Sequence, residues 1–198
     1  MILTEITSIP SGALPFYNFK NHLRMGTGFA EADLQDPLLE AYLRAAIATI
    51  EGKLGLAIIE RSFSWNLTTW HHGDHQNFPI RPVKAITSVT RLDRFDVPYA
   101  VDSGAYVLIQ DSLVPAIKAV GGWLPRIPTD GTIEIEFLAG YGANWDDVPA
   151  DLAQAVLLLA SYFYENRIGA PLASGILPVA VSGLIEPYRV VRVSGTRP

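Results

Sequence analysis

The apolar residues of this chain repeat at helical spacing, then at every second position, then at helical spacing again. Those two switches of period constrain the fold more than any single motif does. A stripe spaced by three and four residues needs a helix to gather it on one face, and strict alternation needs a strand. In the first helical stretch Leu39, Leu43, Ala46, Ile50 and Leu54 follow one another at spacings of 4, 3, 4 and 4. Asp36 is placed to cap this helix, Pro37 to occupy its first position and Gly55 to end it. A shorter helix is expected over 15–24, where Phe16, Phe19 and Leu23 share a face behind Pro15 and ahead of Gly26.

From Ile58 to Leu138 the period is two. Phe63, Trp65, Leu67 and Thr69 fall on one face; so do Ile133, Ile135 and Phe137, with Glu134 and Glu136 toward solvent. Further β-rich runs lie at 86–92, 106–109 and 113–117, separated by prolines and glycines. This stretch is expected to form an antiparallel sheet or sandwich of about five or six strands. The helical period returns after Gly140-Tyr141-Gly142, with Pro149 at the start and Asp151 in the first turn. Apolar residues then cover nearly the whole circumference over 151–167, and such a helix is buried on all sides. With only two other main helices to cover it, part of this surface is expected to meet another subunit, through Val156, Leu159 and Phe163. A last short helix is expected near 179–185. The whole reads as an α+β fold: a small bundle of three main helices from 1–57 and 143–186, an inserted antiparallel β sheet or sandwich over 58–142, and an extended C-terminal arm over 187–198.

Composition narrows the function classes. Hydrophobic residues make up 49% of the 198, enough for a packed core. Charged residues are 18%, against about 25% in ordinary domains, so some apolar surface is expected to belong to a partner. The net charge of −5 disfavours a sequence-independent DNA binder, which needs many phosphate-neutralising cations. The absence of cysteine excludes disulfides, thiolate zinc sites, iron–sulfur clusters and a cysteine nucleophile. Glu5 stands where a signal peptide needs positive charge, and no apolar run approaches the ~20 residues of a membrane span. A soluble chain made in the cytoplasm, with no membrane partner, is the expectation.

One cluster invites chemistry. His71, His72, Asp74 and His75 offer three imidazoles and a carboxylate, a donor set that suits zinc. They follow a strand and enclose Gly73, so they belong to a loop or hairpin tip and lack any HExxH-type spacing. Two readings stay open: a solvated polar loop, or a metal-binding module extending to a small metal-dependent hydrolase. No serine lies in a G-x-S-x-G elbow and no phosphate loop is present, so no catalytic residue and no cofactor is assigned. Gly140 and Gly142 read as a strand-to-helix turn. Trp65 and Trp70 read as core or interface aromatics, or as stacking platforms of a carbohydrate- or peptide-binding module. The tail, with Tyr188, Arg189, Val191 and Arg192 in alternation, reads as a frayed end or as an arm that orders on docking.

The order of these pieces resembles the head–tail connector (adaptor) proteins of long-tailed phages, prophages and gene transfer agents. The resemblance runs over about 14–192, through LLEAYLRAAIATIEGKLGLAI, IERSFSWNL, Ile80 to Val89, IEIEFLAGYGANWDDVPADLAQAVLLLASYFYENR and LIEPYRVVR. It implies a structural virion protein without enzymatic activity, assembled in the host cytoplasm at the head–tail interface. It further implies a homo-oligomeric ring, twelve-fold where it meets the portal protein, that extends the DNA channel toward a tail-side stopper or tail protein. DNA would pass through without sequence-specific binding. By the same resemblance the C-terminal segment docks onto the portal, which makes Tyr188, Arg189, Val191 and Arg192 the candidate portal contacts.

Overall fold

The computed structural model describes residues 1–25, 32–166 and 177–189. By packing, the chain divides into two units, each assembled from separate stretches of sequence: 1–10 with 55–147, and 11–54 with 148–198.

The first unit is all β apart from short turns. A five-stranded antiparallel sheet has the order β1-β2-β8-β4-β5, from β1 (Ile2–Glu5), β2 (Arg61–Leu67), β4 (Val83–Leu92), β5 (Pro98–Ala100) and β8 (Thr132–Ala139). A three-stranded sheet has the order β3-β7-β6, from β3 (His75–Asn77), β6 (Tyr106–Ile109) and β7 (Ala116–Ala119). β8 is central because its alternation is complete: Ile133, Ile135, Phe137 and Ala139 are all fully buried. Its register pairs Phe63 with Phe137 and Trp65 with Ile135 on one side, and Val89 with Ile135 on the other. The two sheets share one core, in which Ile117, Ala119 and Phe78 join the inward residues of β2, β4 and β8. Phe63 stacks on Phe137 at 5.6 Å, and Phe78 leans on both Phe137 and Trp65.

Three expectations for this unit change in the structure. Thr69 lies beyond the end of β2 and is exposed, because the alternation stops at Leu67. Glu134 and Glu136 are half-buried rather than free in solvent: Ser64 Oγ donates to Glu134 at 2.5 Å and Ser88 Oγ to Glu136 at 3.1 Å. Residues 1–10, grouped by sequence with the helices, supply the edge strand β1, whose Glu5 lies 3.2 Å from the buried guanidinium of Arg61.

Three backbone hydrogen bonds tie the turn after β8. Gly140 donates to Pro82 O, Tyr141 to Ile58 O, and Glu60 to Gly142 O. At Gly140 φ is +136°, and a Cβ would lie 2.4 Å from the backbone of Glu60, so only glycine fits.

The second unit contains α1 (Phe16–His22), α2 (Ala32–Leu54), α3 (Ala150–Glu165) and α4 (Val179–Ile185), the last at the place expected for the short fourth helix. α3 packs on α1, α2 and α4. The stripe Leu39, Leu43, Ala46, Ile50 is fully buried, as its spacing requires. The start of α2 differs from expectation. The helix is already formed at Ala32, so Pro37 lies inside it and Asp36 is no cap. Asp36 instead meets Lys20 of α1 at 2.5 Å. The Asp-Pro pair imitates a helix start locally, but the helix continues through it at the loss of one backbone hydrogen bond.

Candidate functional site

In the histidine loop, the backbone N–H of His71 donates to Gln76 Oε1 at 2.9 Å. The neighbouring segment clamps the loop through Ala119 N–H to Asp74 O and Leu124 N–H to Gly73 O, at 2.8 and 2.7 Å. Trp123 lies so close over Gly73 that a Cβ there would fall 2.3 Å from its ring. The rings of His72 and His75 stack at 4.5 Å with only 4° between their planes. An imidazole lone pair lies in its ring plane, so two parallel stacked rings do not converge on one ion. Asp74 is engaged as well, its Oδ1 2.9 Å from His75 Nδ1. That hydrogen bond, ahead of the nearby imidazole charges, holds the Asp74 carboxyl below its ordinary value, against a smaller opposing effect of desolvation. Among the described residues no group of three or more His, Asp or Glu side chains is placed to hold a metal ion.

The tryptophans separate. Trp65 is 1% exposed in the β core and presents no face to a ligand. Trp70 is half-buried and donates from Nε1 to Pro125 O at 2.9 Å. The exposed indole is Trp123, 79% accessible, which sequence reading passed over because a lone aromatic among glycines has no periodicity to mark it.

The expected subunit contacts also divide. Val156 and Leu159 are fully buried inside the protomer, where α3 packs on its neighbours, and they keep no surface for a second chain. Phe163 is half-exposed, beside Tyr162 at 6.3 Å between ring centres. The apolar circumference of α3 is thus largely used within the chain, against α1, α2 and α4. Exposed apolar side chains gather in the β unit instead: Phe95, Val97 and Tyr99 near the β4–β5 turn, Val107 and Ile109 on β6, and Trp123.

Of the four C-terminal candidates, Val191 and Arg192 lie outside the described residues. Tyr188 does not begin an extended arm. It closes a single 3-10 turn, Glu186–Tyr188, directly after α4, and its hydroxyl donates to Asp151 Oδ1 of α3 at 2.7 Å. Arg189 is exposed, adopts extended backbone and pairs with Glu186 at 3.1 Å. Pro187 is what turns the chain here: a fixed φ suits a turn and not the alternating strand that the side-chain pattern resembled. Sequence reading also missed two buried arginines, Arg61 and Arg81, both under 10% exposed. Arg61 donates to Ile59 O at 3.1 Å and stacks over Phe63, so it serves the sheet edge.

Fold and surfaces together define an α+β module with exposed apolar side chains on its β unit. Neither protein-family models nor curated proteins give a match to this chain. Solved structures do. The chain is 47% identical, at a TM-score of 0.91, to a chain in the neck of an empty gene transfer agent particle computed with C6 symmetry. It is 45% identical, at 0.84, to one in the neck of a native particle computed with C12 symmetry, and 48% identical, at 0.87, to one in the virion of a native particle. Each match covers 100% of both chains. This chain belongs to the family of gene transfer agent neck proteins.

Proposed function

We propose that this protein is a non-enzymatic, ring-forming adaptor of a particle neck, docked beneath a portal protein and extending the DNA channel toward a tail-side stopper or tail protein. The observation that carries the reading is full-length similarity, at 45–48% identity, to neck and virion chains, two of them in necks computed with C6 and C12 symmetry. A closed cyclic ring needs heterologous contacts, two different patches on each subunit. The exposed apolar residues of the β unit, together with the half-exposed Phe163, are the kind of surface such contacts require. In this reading the chain resides in the virion, assembles in the host cytoplasm, and meets its portal through the C-terminal segment from Arg189 onward. DNA crosses the ring without sequence-specific contact.

The test is native mass spectrometry of the protein mixed with the portal protein of its own source. The expected species is a portal–adaptor complex with one adaptor per portal subunit and no metal mass. A portal-indifferent protein carrying one zinc per chain would overturn the reading in favour of the histidine loop.

A further inference from the structure

We propose that Tyr188 and Asp151 form a latch that sets where and in which direction the C-terminal segment leaves the helical unit, so that Tyr188 is a positioning residue and not a partner contact. The inference rests on the reading that the segment beyond Arg189 docks on the portal.

Four observations converge on the latch. The Tyr188 hydroxyl donates to Asp151 Oδ1 at 2.7 Å, across 37 residues of sequence. The same Oδ1 accepts the backbone N–H of Leu152 at 2.9 Å, which fixes the carboxylate. Asp151 lies in the first turn of α3, where the helix dipole favours its charge. On the other side of Tyr188, α4 is anchored by the buried Val181 and Ile185, and Pro187 with the Arg189 N–H to Glu186 O bond closes the turn.

The backbone between Ile185 and Arg189 is therefore tied at both ends, by apolar burial before the turn and by a charge-assisted hydrogen bond within it. Fixing the root of a docking segment before it binds removes part of the ordering cost from the binding step. A phenol serves this better than an aliphatic anchor. Its ring is half-buried and its hydroxyl is directed to the Asp151 carboxylate, which favours one orientation of the turn.

The test uses full-length variants, with portal affinity, tryptic cleavage after Arg189 and melting temperature as readouts. Tyr188→Phe and Asp151→Ala are each expected to weaken portal binding about 2- to 10-fold. Both are expected to speed cleavage after Arg189; Tyr188→Phe should leave melting unchanged, whereas Asp151→Ala also loses the Leu152 contact and the charge at the α3 start and should melt slightly lower. Their double variant should bind the portal no worse than Asp151→Ala alone, because the Tyr188–Asp151 bond is already lost there. Asp151→Asn keeps an acceptor oxygen without the charge and should fall between the parent and Asp151→Ala. Normal affinity and normal cleavage in Tyr188→Phe overturn the latch. So does, in the same variant, a fall in affinity matched by a fall in melting temperature, which marks a structural role. Deletion of 190–198 judges the underlying reading separately: loss of portal binding supports docking by this segment. Retained binding sinks the docking reading, and cleavage after Arg189 then decides the latch alone.

Discussion

At the scale of single residues, the most demanding positions are those where backbone meets backbone. Gly140 has a φ of +136° and lies against Glu60, so Gly140→Ala is expected to destabilise the protein by about 3 kcal/mol or more. Gly183 is the control. It lies inside α4 with open space around it, and Gly183→Ala should stabilise by about 0.5–1 kcal/mol. Chemical denaturation of both variants checks the pair, and equal effects would refute the steric argument. A titrating residue gives a second prediction. Hydrogen bonds from Arg44 and then Ser11 hold the Glu40 carboxyl below its ordinary value. A depressed carboxylate stabilises the folded state above its unfolded pKa and loses that contribution as pH falls through the folded value. Melting temperature followed from roughly pH 5 down to 3 should therefore drop less steeply in Glu40→Gln than in the parent; identical slopes would show that the cluster contributes nothing. The glycine turn was legible in the sequence because its chemistry is local. Neither the contact of Ser11 with the Glu40–Arg44 pair nor that of Glu5 with Arg61 was, since these partners lie far apart along the chain.

Among elements, β1 is the one that sequence patterning hides. Four residues are too few to establish a period, and Ile2–Glu5 is mostly exposed, so no alternation announces it. Its place follows from β2, a strand rich in aromatic and buried residues that would otherwise form the sheet edge. A long apolar edge invites pairing with other chains, and a short outer strand is one way to blunt it. Deleting 1–6 removes the β1 pairing, the packing of Leu3 on the core and the Glu5 partner of Arg61. The truncated protein is expected to lose about 2–4 kcal/mol and to aggregate on heating, with β2 newly exposed. Light scattering during a thermal ramp checks this; unchanged melting without aggregation would mean that β1 is dispensable. The long elements were the legible ones: β8 and α2 have complete periods, and the structure buries the residues those periods predict. The start of α2 was misread for the same local reason that made the glycine turn easy, an Asp-Pro signal that tertiary contact with Lys20 overrides.

For the whole molecule, charge bears on the proposed role as a DNA conduit. The chain carries 15 basic and 20 acidic residues, and one of its basic stretches is the C-terminal end, where Arg189, Arg192 and Arg197 stand against Glu186. If the C-terminal arm alone meets the duplex, its three arginines neutralise about three phosphates, and the slope of log affinity against log salt is about −2.7. Raising salt threefold, from about 50 to 150 mM, should then weaken any duplex binding about 20-fold, to the edge of detection. The remaining surface is net acidic and repels the phosphate backbone, which suits a passage that DNA must leave as easily as it enters. Fluorescence anisotropy with a short duplex, at several salt concentrations, measures both quantities. The expected result is negligible binding at physiological salt and a slope no steeper than about −3, flattened further by deleting 190–198. Micromolar binding at physiological salt, or a slope near −6, would require a basic surface assembled from elsewhere in the chain. Such a result would replace a passive conduit with a protein that grips DNA.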